Sequence, residues 1–108
     1  MKFGGTSIAD GKKIRNVAQL LISYKEAGNQ VGAITSALGS VTDGLLTNAA
    51  EASQRGKVSQ VKEFMTDLAK KHYDAISDAI DNERIADEVI ETIDIRIDEL
   101  EKALIGIC

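Results

Sequence analysis

The most informative stretch of this chain is KFGGTS, residues 2–7. A lysine and an aromatic residue end a predicted strand, two glycines form a turn, and two hydroxyl residues lead towards a predicted helix. Glycines let the backbone approach a bound group closely, and a lysine ammonium is a compact partner for phosphate oxygens. The start of a helix adds unpaired N–H groups and a positive dipole end. These residues predict a phosphate-facing turn, although a structural turn with a surface lysine would have the same pattern.

A helix and a second strand are predicted next along the chain. The helix begins near Ser7 or Asp10, carries apolar residues at helical spacing, and stops at Gly28. The segment 30–36 is short and apolar and lies between glycine-containing turns, which predicts a buried strand. Strand, helix and strand together predict a βαβ unit.

The rest of the chain is predicted to be helical. A short helix, capped by Thr42 or Asp43, extends to the residue before Gly56. Two long apolar stripes with three- and four-residue spacing follow, over 57–80 and 85–106, and are separated by a polar break at 81–82. They predict an antiparallel helical hairpin. The expected fold class is therefore α/β, a βαβ unit followed by a long helical hairpin, with most residues helical.

Composition argues against several classes of function. The chain has 108 residues and a net charge of -4, with 13 basic residues scattered among 17 acidic ones, which argues against nucleic-acid binding. No apolar run approaches the roughly 20 residues that span a bilayer, so no membrane role is expected. The absence of an apolar leader and the single Cys108 predict a cytoplasmic location.

Several isolated features are interpreted as structural. His72 is the only histidine and has no partner at metal-ligand spacing, so no metal site is predicted. The acidic residues from Asp87 to Glu101 are interpreted as the solvated face of the last helix. Lys12, Lys13 and Arg15 are interpreted as exposed helix residues.

A second informative stretch is ITSALGSVTD, residues 34–43. Together with KFGGTS followed by Ile8, it resembles the aspartate kinases of the amino-acid-kinase family, in which the second segment commonly reads VVSAMGGVT followed by Asp or Asn. This chain departs from that pattern at Thr35, Leu38 and Ser40, where the family commonly has Val, Met and Gly. The two segments occur in the family's order and at the family's distance.

The resemblance implies a fold and a place within it. The chain would be a truncated N-terminal portion of the catalytic domain, which is an αβα sandwich. Residues 1–48 would form the motif-bearing βαβ part, and residues 49–108 would form a helical insertion. The piece by itself is expected to be inactive.

The resemblance also implies roles for individual residues. Lys2 would be catalytic and would bind the ATP phosphates together with Gly4, Gly5, Thr6 and Ser7. Ser36 and Thr42 would bind aspartate. The reaction would use ATP and Mg²⁺ to phosphorylate the side-chain carboxylate of L-aspartate, giving 4-phospho-L-aspartate in the first step of lysine, threonine and methionine biosynthesis. A homo-oligomer is expected.

Two alternative functions stay open at this point. One is another amino-acid-kinase enzyme, acting on glutamate, acetylglutamate or a nucleoside monophosphate; the Thr6-Ser7 pair and the long helical segment favour aspartate instead. The other is a non-catalytic helical interaction module, in which the glycine turn is only structural.

Overall fold

A computed structural model describes all residues from 1 to 108, and it is mostly helical, as predicted: about 72% of the residues lie in helices. The elements in chain order are β1 (Lys2–Phe3), α1 (Gly11–Glu26), β2 (Ile34–Thr35), α2 (Val41–Arg55), α3 (Val58–Ala79) and α4 (Glu83–Ile107). No helix is both long enough and apolar enough to cross a membrane.

The two strands form a small parallel sheet. Lys2 pairs with Ile34 and Phe3 with Thr35, and the terminal ammonium of Met1 donates to the carbonyl of Gly32 at 2.6 Å. Because α1 is the crossover between parallel strands, the predicted βαβ unit is confirmed.

The second strand differs from its prediction in length and in burial. It covers two residues rather than the segment 30–36, and the side chain of Ile34 is 69% exposed rather than buried. The sequence pattern is that of a strand with neighbours on both sides and cover on both faces. In this chain β2 has β1 as its only neighbour, so one edge and much of its surface remain open.

Helix α1 begins at the second of its two predicted positions. The Asp10 carboxylate accepts a hydrogen bond from the N–H of Lys13 at 2.9 Å and caps the helix. Ser7 is not the start, because its N–H instead closes a turn with the carbonyl of Gly4 at 3.0 Å. The chain leaves the helix through Gly28, whose φ of 95° favours glycine.

Helix α2 begins differently from the prediction. Its N-cap is Ser40, which has a φ of 66° and makes no side-chain capping bond. Thr42 and Asp43 were predicted to cap the helix, but they already lie within its first turn, because the left-handed Ser40 directs the chain into the helix earlier. The predicted end is confirmed, at Gly56 with a φ of 63°.

The predicted antiparallel hairpin is formed by α3 and α4. Asn82 caps α4 by accepting from the N–H of Ile85 at 3.2 Å, and α4 ends one residue later than predicted, at Ile107. Leu104, near the end of α4, packs with Val61, near the start of α3. The buried cluster joins α2, α3 and α4, and consists of Val41, Ala52, Val61, Met65, Leu68 and Leu104.

Helix α1 packs against α3 and is tied to its C-terminal end. Gly11 is buried, and a Cβ built on it would lie 2.4 Å from the Ala75 carbonyl oxygen. Arg15, which was predicted to be merely exposed, donates to both carboxylate oxygens of Asp81, at 2.9 and 2.6 Å, and to the carbonyl of Asp78 at 3.1 Å. The βαβ unit and the helical hairpin are thus joined through α1.

Candidate functional site

The two informative segments meet around one cavity of about 240 Å³. Parallel pairing explains this meeting, since the carboxyl ends of β1 and β2 lie at the same edge of the sheet. The lining residues come from the turn after β1 and from the segment after β2. They are Gly5, Ser36, Ala37, Leu38, Gly39, Ser40, Thr42 and Asp43.

Gly5 and Ser36 bring the two segments into contact. A Cβ on Gly5 would lie 3.7 Å from the Ser36 hydroxyl oxygen, so the glycine turn passes directly beside this hydroxyl. Ser36 is held in place by its N–H, which donates to the carbonyl of Phe3 at 3.1 Å, and by its hydroxyl, which donates to the carbonyl of Ala37 at 2.9 Å. The Ser36 side chain is therefore a fixed polar group on the cavity wall.

The N-terminal end of α2 adjoins the same cavity. In its first turn, the N–H of Val41 donates to the carbonyl of Leu38 at 3.1 Å, and the N–H of Gly44 donates to that of Ser40 at 3.0 Å. The N–H groups of Thr42 and Asp43 have no acceptor within the chain. Unpaired N–H groups at a helix start suit a negatively charged ligand group, and the Thr42 hydroxyl is exposed beside them.

The residues predicted to bind phosphate divide into two groups. Gly5 lines the cavity, whereas Lys2, Gly4, Thr6 and Ser7 do not and are exposed on the strand end and turn beside it. The Lys2 ammonium makes no hydrogen bond or ion pair within the chain, and nothing lies within 4 Å of a Cβ built on Gly4. The structure thus leaves an unpaired cation and an open glycine backbone next to the cavity.

The sequence predicted that the start of α1 would supply a positive dipole end at the KFGGTS turn. The structure places the start of a different helix beside the cavity. Asp10 separates KFGGTS from α1 and fills the N-terminal end of that helix with its own carboxylate. The positive helix end that adjoins the cavity is that of α2. The two helix starts differ because α1 has a side-chain cap and α2 has none.

Five of the lining residues had no ligand role predicted from the sequence: Ala37, Leu38, Gly39, Ser40 and Asp43. The sequence indicated these residues only by their place within the ITSALGSVTD segment. Asp43 is the only charged side chain on the wall, and Ser40 is the only non-glycine residue of the chain with positive φ. Gly39 packs closely against the segment before α1, since a Cβ there would lie 3.0 Å from that of Ala9.

The features interpreted as structural have ordinary partners. The His72 imidazole Nδ1 lies 2.8 Å from the carbonyl oxygen of Leu68. On α4, Asp98 pairs with Lys102 at 2.9 Å and Glu99 with Arg96 at 3.1 Å, in exposed positions. No group of three or more His, Cys, Asp or Glu side chains is placed to hold a metal ion.

The family model described as "Amino acid kinase family" matches residues 1–104. With a parallel βαβ unit whose strand ends surround a polar cavity, this match shows that the chain belongs to the amino acid kinase family.

Several curated aspartokinases are similar to this chain. The chain is 46% identical over 52 residues to the aspartokinase of Mycolicibacterium smegmatis, which is 48% of this chain and 12% of the relative. It is 47% identical over 49 residues to that of Corynebacterium glutamicum, 45% of this chain and 12% of the relative. It is 39% identical over 54 residues to that of Thermus thermophilus, 50% of this chain and 13% of the relative. The matched segments therefore span a small part of the relatives' own length.

Proposed function

We propose that the chain is part of an aspartate kinase, which transfers the γ-phosphate of ATP to the side-chain carboxylate of L-aspartate to form 4-phospho-L-aspartate. The observation that carries this proposal is the cavity at which Gly5 meets Ser36 and Thr42. The likeness to several aspartokinases supports the same acceptor. Within this proposal, residues 1–48 are the βαβ part of an αβα sandwich and residues 49–108 are its helical insertion.

The acceptor side is proposed to lie at the start of α2. A carboxylate of aspartate would accept hydrogen bonds from the Thr42 hydroxyl and from the free N–H groups of Thr42 and Asp43. The Ser36 hydroxyl would turn from the Ala37 carbonyl to donate to the same carboxylate. Hydrogen bonds to a charged group are stronger than neutral ones and fix its direction. Because the Ser36 backbone is already held by its N–H bond to the Phe3 carbonyl, only the hydroxyl would have to reorient on binding.

The donor side is proposed to lie on KFGGTS. The phosphates of ATP would approach the open backbone at Gly4 and Gly5, with the Thr6 and Ser7 hydroxyls nearby, and the free Lys2 ammonium would pair with phosphate oxygens. Magnesium would enter with ATP, on the phosphates, and would supply further positive charge. The residues present fit this role because they offer donors with no competing partner in the chain.

The proposed reaction needs no covalent intermediate on the protein. A side-chain carboxylate oxygen of aspartate attacks the γ-phosphorus, the bond from that phosphorus to the bridging oxygen breaks, and ADP leaves with the electron pair. The chain's contribution is to hold the acceptor at Ser36 and Thr42 and to neutralise charge on the transferring group through Lys2.

The test is an assay of the full-length protein with ATP and L-aspartate. Hydroxylamine trapping detects an acyl phosphate as its hydroxamate, and a coupled assay follows ADP release. Hydroxamate formed with aspartate in preference to glutamate is the expected result. Preference for glutamate would favour another amino-acid-kinase enzyme, and a protein that neither binds ATP nor releases ADP would favour the interaction module.

We further propose that the isolated 108-residue chain does not catalyse transfer, because its donor-side residues lie on an open turn. Calorimetric titration with Mg-ATP and with aspartate tests this, and turnover by the isolated chain would contradict it. The proposed function also carries a cytoplasmic location and a homo-oligomeric state as expectations.

A further inference from the structure

The loop between β2 and α2 carries Leu38, which lies between two cavities. One is the polar cavity of about 240 Å³ described above, and the other is an apolar cavity of about 320 Å³ lined mainly by α1, α3 and α4. Leu38 is the only residue that lines both. A single side chain therefore connects the proposed substrate loop to the helical part of the molecule.

The contacts of Leu38 and its neighbour hold this loop from two sides. Leu38 is half-buried and packs against the hydrophobic cluster of α2, α3 and α4, and its carbonyl accepts the N–H of Val41 at 3.1 Å. The next residue, Gly39, lies so close to Ala9 that a Cβ there would be 3.0 Å from the Ala9 Cβ. The loop is thus fixed between the segment that follows KFGGTS and the helical layer.

We infer that Leu38 is a positioning residue, which sets the placement of Ser36 relative to Thr42 by anchoring residues 37–40 in the apolar cavity. This inference rests on the proposed function, since it assigns those two hydroxyls to the acceptor. Leu38 stands two residues after Ser36 and four before Thr42, so movement of its side chain shifts both ends of the loop. Truncation of Leu38 would join the two cavities and remove the anchor.

The donor side is attached to the rest of the chain by contacts that do not involve the Leu38 side chain. KFGGTS lies on β1 and the turn after it, and β1 is held to β2 by backbone pairing. Loss of the Leu38 side chain therefore affects the acceptor site and leaves the ATP site in place. This difference distinguishes positioning of the loop from general loss of structure.

The experiment is steady-state kinetics of Leu38→Ala in the full-length protein. We expect the KM for aspartate to rise about tenfold or more, since small displacements of positioning groups have large kinetic effects, while the KM for ATP stays unchanged. Leu38→Met should restore the wild-type KM, because methionine fills nearly the same volume.

Leu100→Ala is the matched control. Leu100 packs against the same cluster from α4 and lines neither cavity, and its truncation removes the same atoms. It should lower Tm without changing the KM for aspartate. If Leu38→Ala does not fold, Leu38→Val gives a smaller truncation with the same expected direction.

Three results would overturn the inference. They are a wild-type KM for aspartate in the alanine or valine variant, an equal rise in the KM for ATP, and an equal rise in Leu100→Ala. A wild-type protein that forms no acyl phosphate would instead remove the proposed function, and the role of Leu38 with it. Failure of the Leu38 inference and failure of the proposed function are distinguishable, because the three results above can be measured only if the wild type is active.

Discussion

Lys2 is the residue on which the proposed chemistry depends most. Its ammonium is exposed and unpaired, so nothing in the chain competes with phosphate oxygens for it. We expect Lys2→Ala in the full-length protein to lower kcat/KM at least about 100-fold, the scale of losing one group that stabilises charge in a transition state. Lys62→Ala removes an exposed lysine of α3 and should leave the rate unchanged. Near-normal activity of Lys2→Ala would exclude the role assigned to Lys2.

Gly11 and Gly106 form a contrasting pair. A Cβ on Gly11 would lie 2.4 Å from the Ala75 carbonyl oxygen and 2.5 Å from the Asp78 Cβ, so Gly11→Ala should push α1 away from α3 and destabilise the fold by about 1–3 kcal/mol. Nothing lies within 4 Å of a Cβ on Gly106 in α4, so Gly106→Ala should stabilise it by up to about 1 kcal/mol. Urea unfolding measures both, and equal effects would contradict the close packing at Gly11.

At the residue scale, part of the candidate site's geometry could be predicted from the sequence and part could not. Ser36 and Thr42 were named from a resemblance, and the structure places both on one cavity with Gly5. The left-handed conformation of Ser40 had one signal in the sequence, because the family commonly has glycine at this position and glycine adopts this conformation readily. The close fit of Gly39 against Ala9 depends on a tertiary contact that no local pattern encodes.

At the scale of elements, the link between α1 and the end of α3 should be sensitive to acid. Arg15 lowers the pKa of Asp81, first through hydrogen bonds to its carboxylate and then through its charge. The Asp81 carboxylate therefore adds its full contribution to the free energy of unfolding at pH values above its unfolded pKa of about 3.9. This contribution is lost as the pH falls through the lower pKa of the folded state.

The measurement is the free energy of unfolding of the wild type and of Asp81→Asn at pH 7 and near pH 3. We expect the wild type to lose its advantage over the variant at the lower pH. Asp87→Asn, which removes an acidic residue of α4 that makes no ion pair, should show no such change between the two pH values. A constant difference between wild type and Asp81→Asn would show that the Arg15 link does not contribute.

Helices were predicted more accurately than strands, for a physical reason. The apolar stripes of α3 and α4 repeat every three and four residues over five or more turns, and the two helices pack against each other within this chain. The second strand was predicted too long because the burial of a strand depends on neighbours that its own sequence does not specify. Helix starts were the least certain, because Ser7 and Asp10 both have capping side chains and only one of them caps.

On the scale of the whole molecule, exposed apolar surface predicts self-association of the isolated chain. Ile34 is 69% exposed, Leu46 67% and Ile22 54%, and β2 has a free edge. Exposed apolar side chains and unpaired strand edges favour contact with further copies. Light scattering of the isolated chain over a concentration series should show the average mass increase. A monomer at the highest concentrations would contradict this expectation, and Ile34→Lys should reduce the association if the β2 edge takes part.

The pairing that builds the cavity is distant in sequence. The contact between Met1 and Gly32 spans 31 residues, whereas hydrogen bonds within each helix join residues four apart. Long loops are closed at an entropic cost before their contacts repay it, so local structure tends to form first. The cavity is therefore expected to assemble last during folding and to open first under stress. A ligand that contacts both segments would stabilise their pairing, so bound substrate would raise the local stability of this part of the fold.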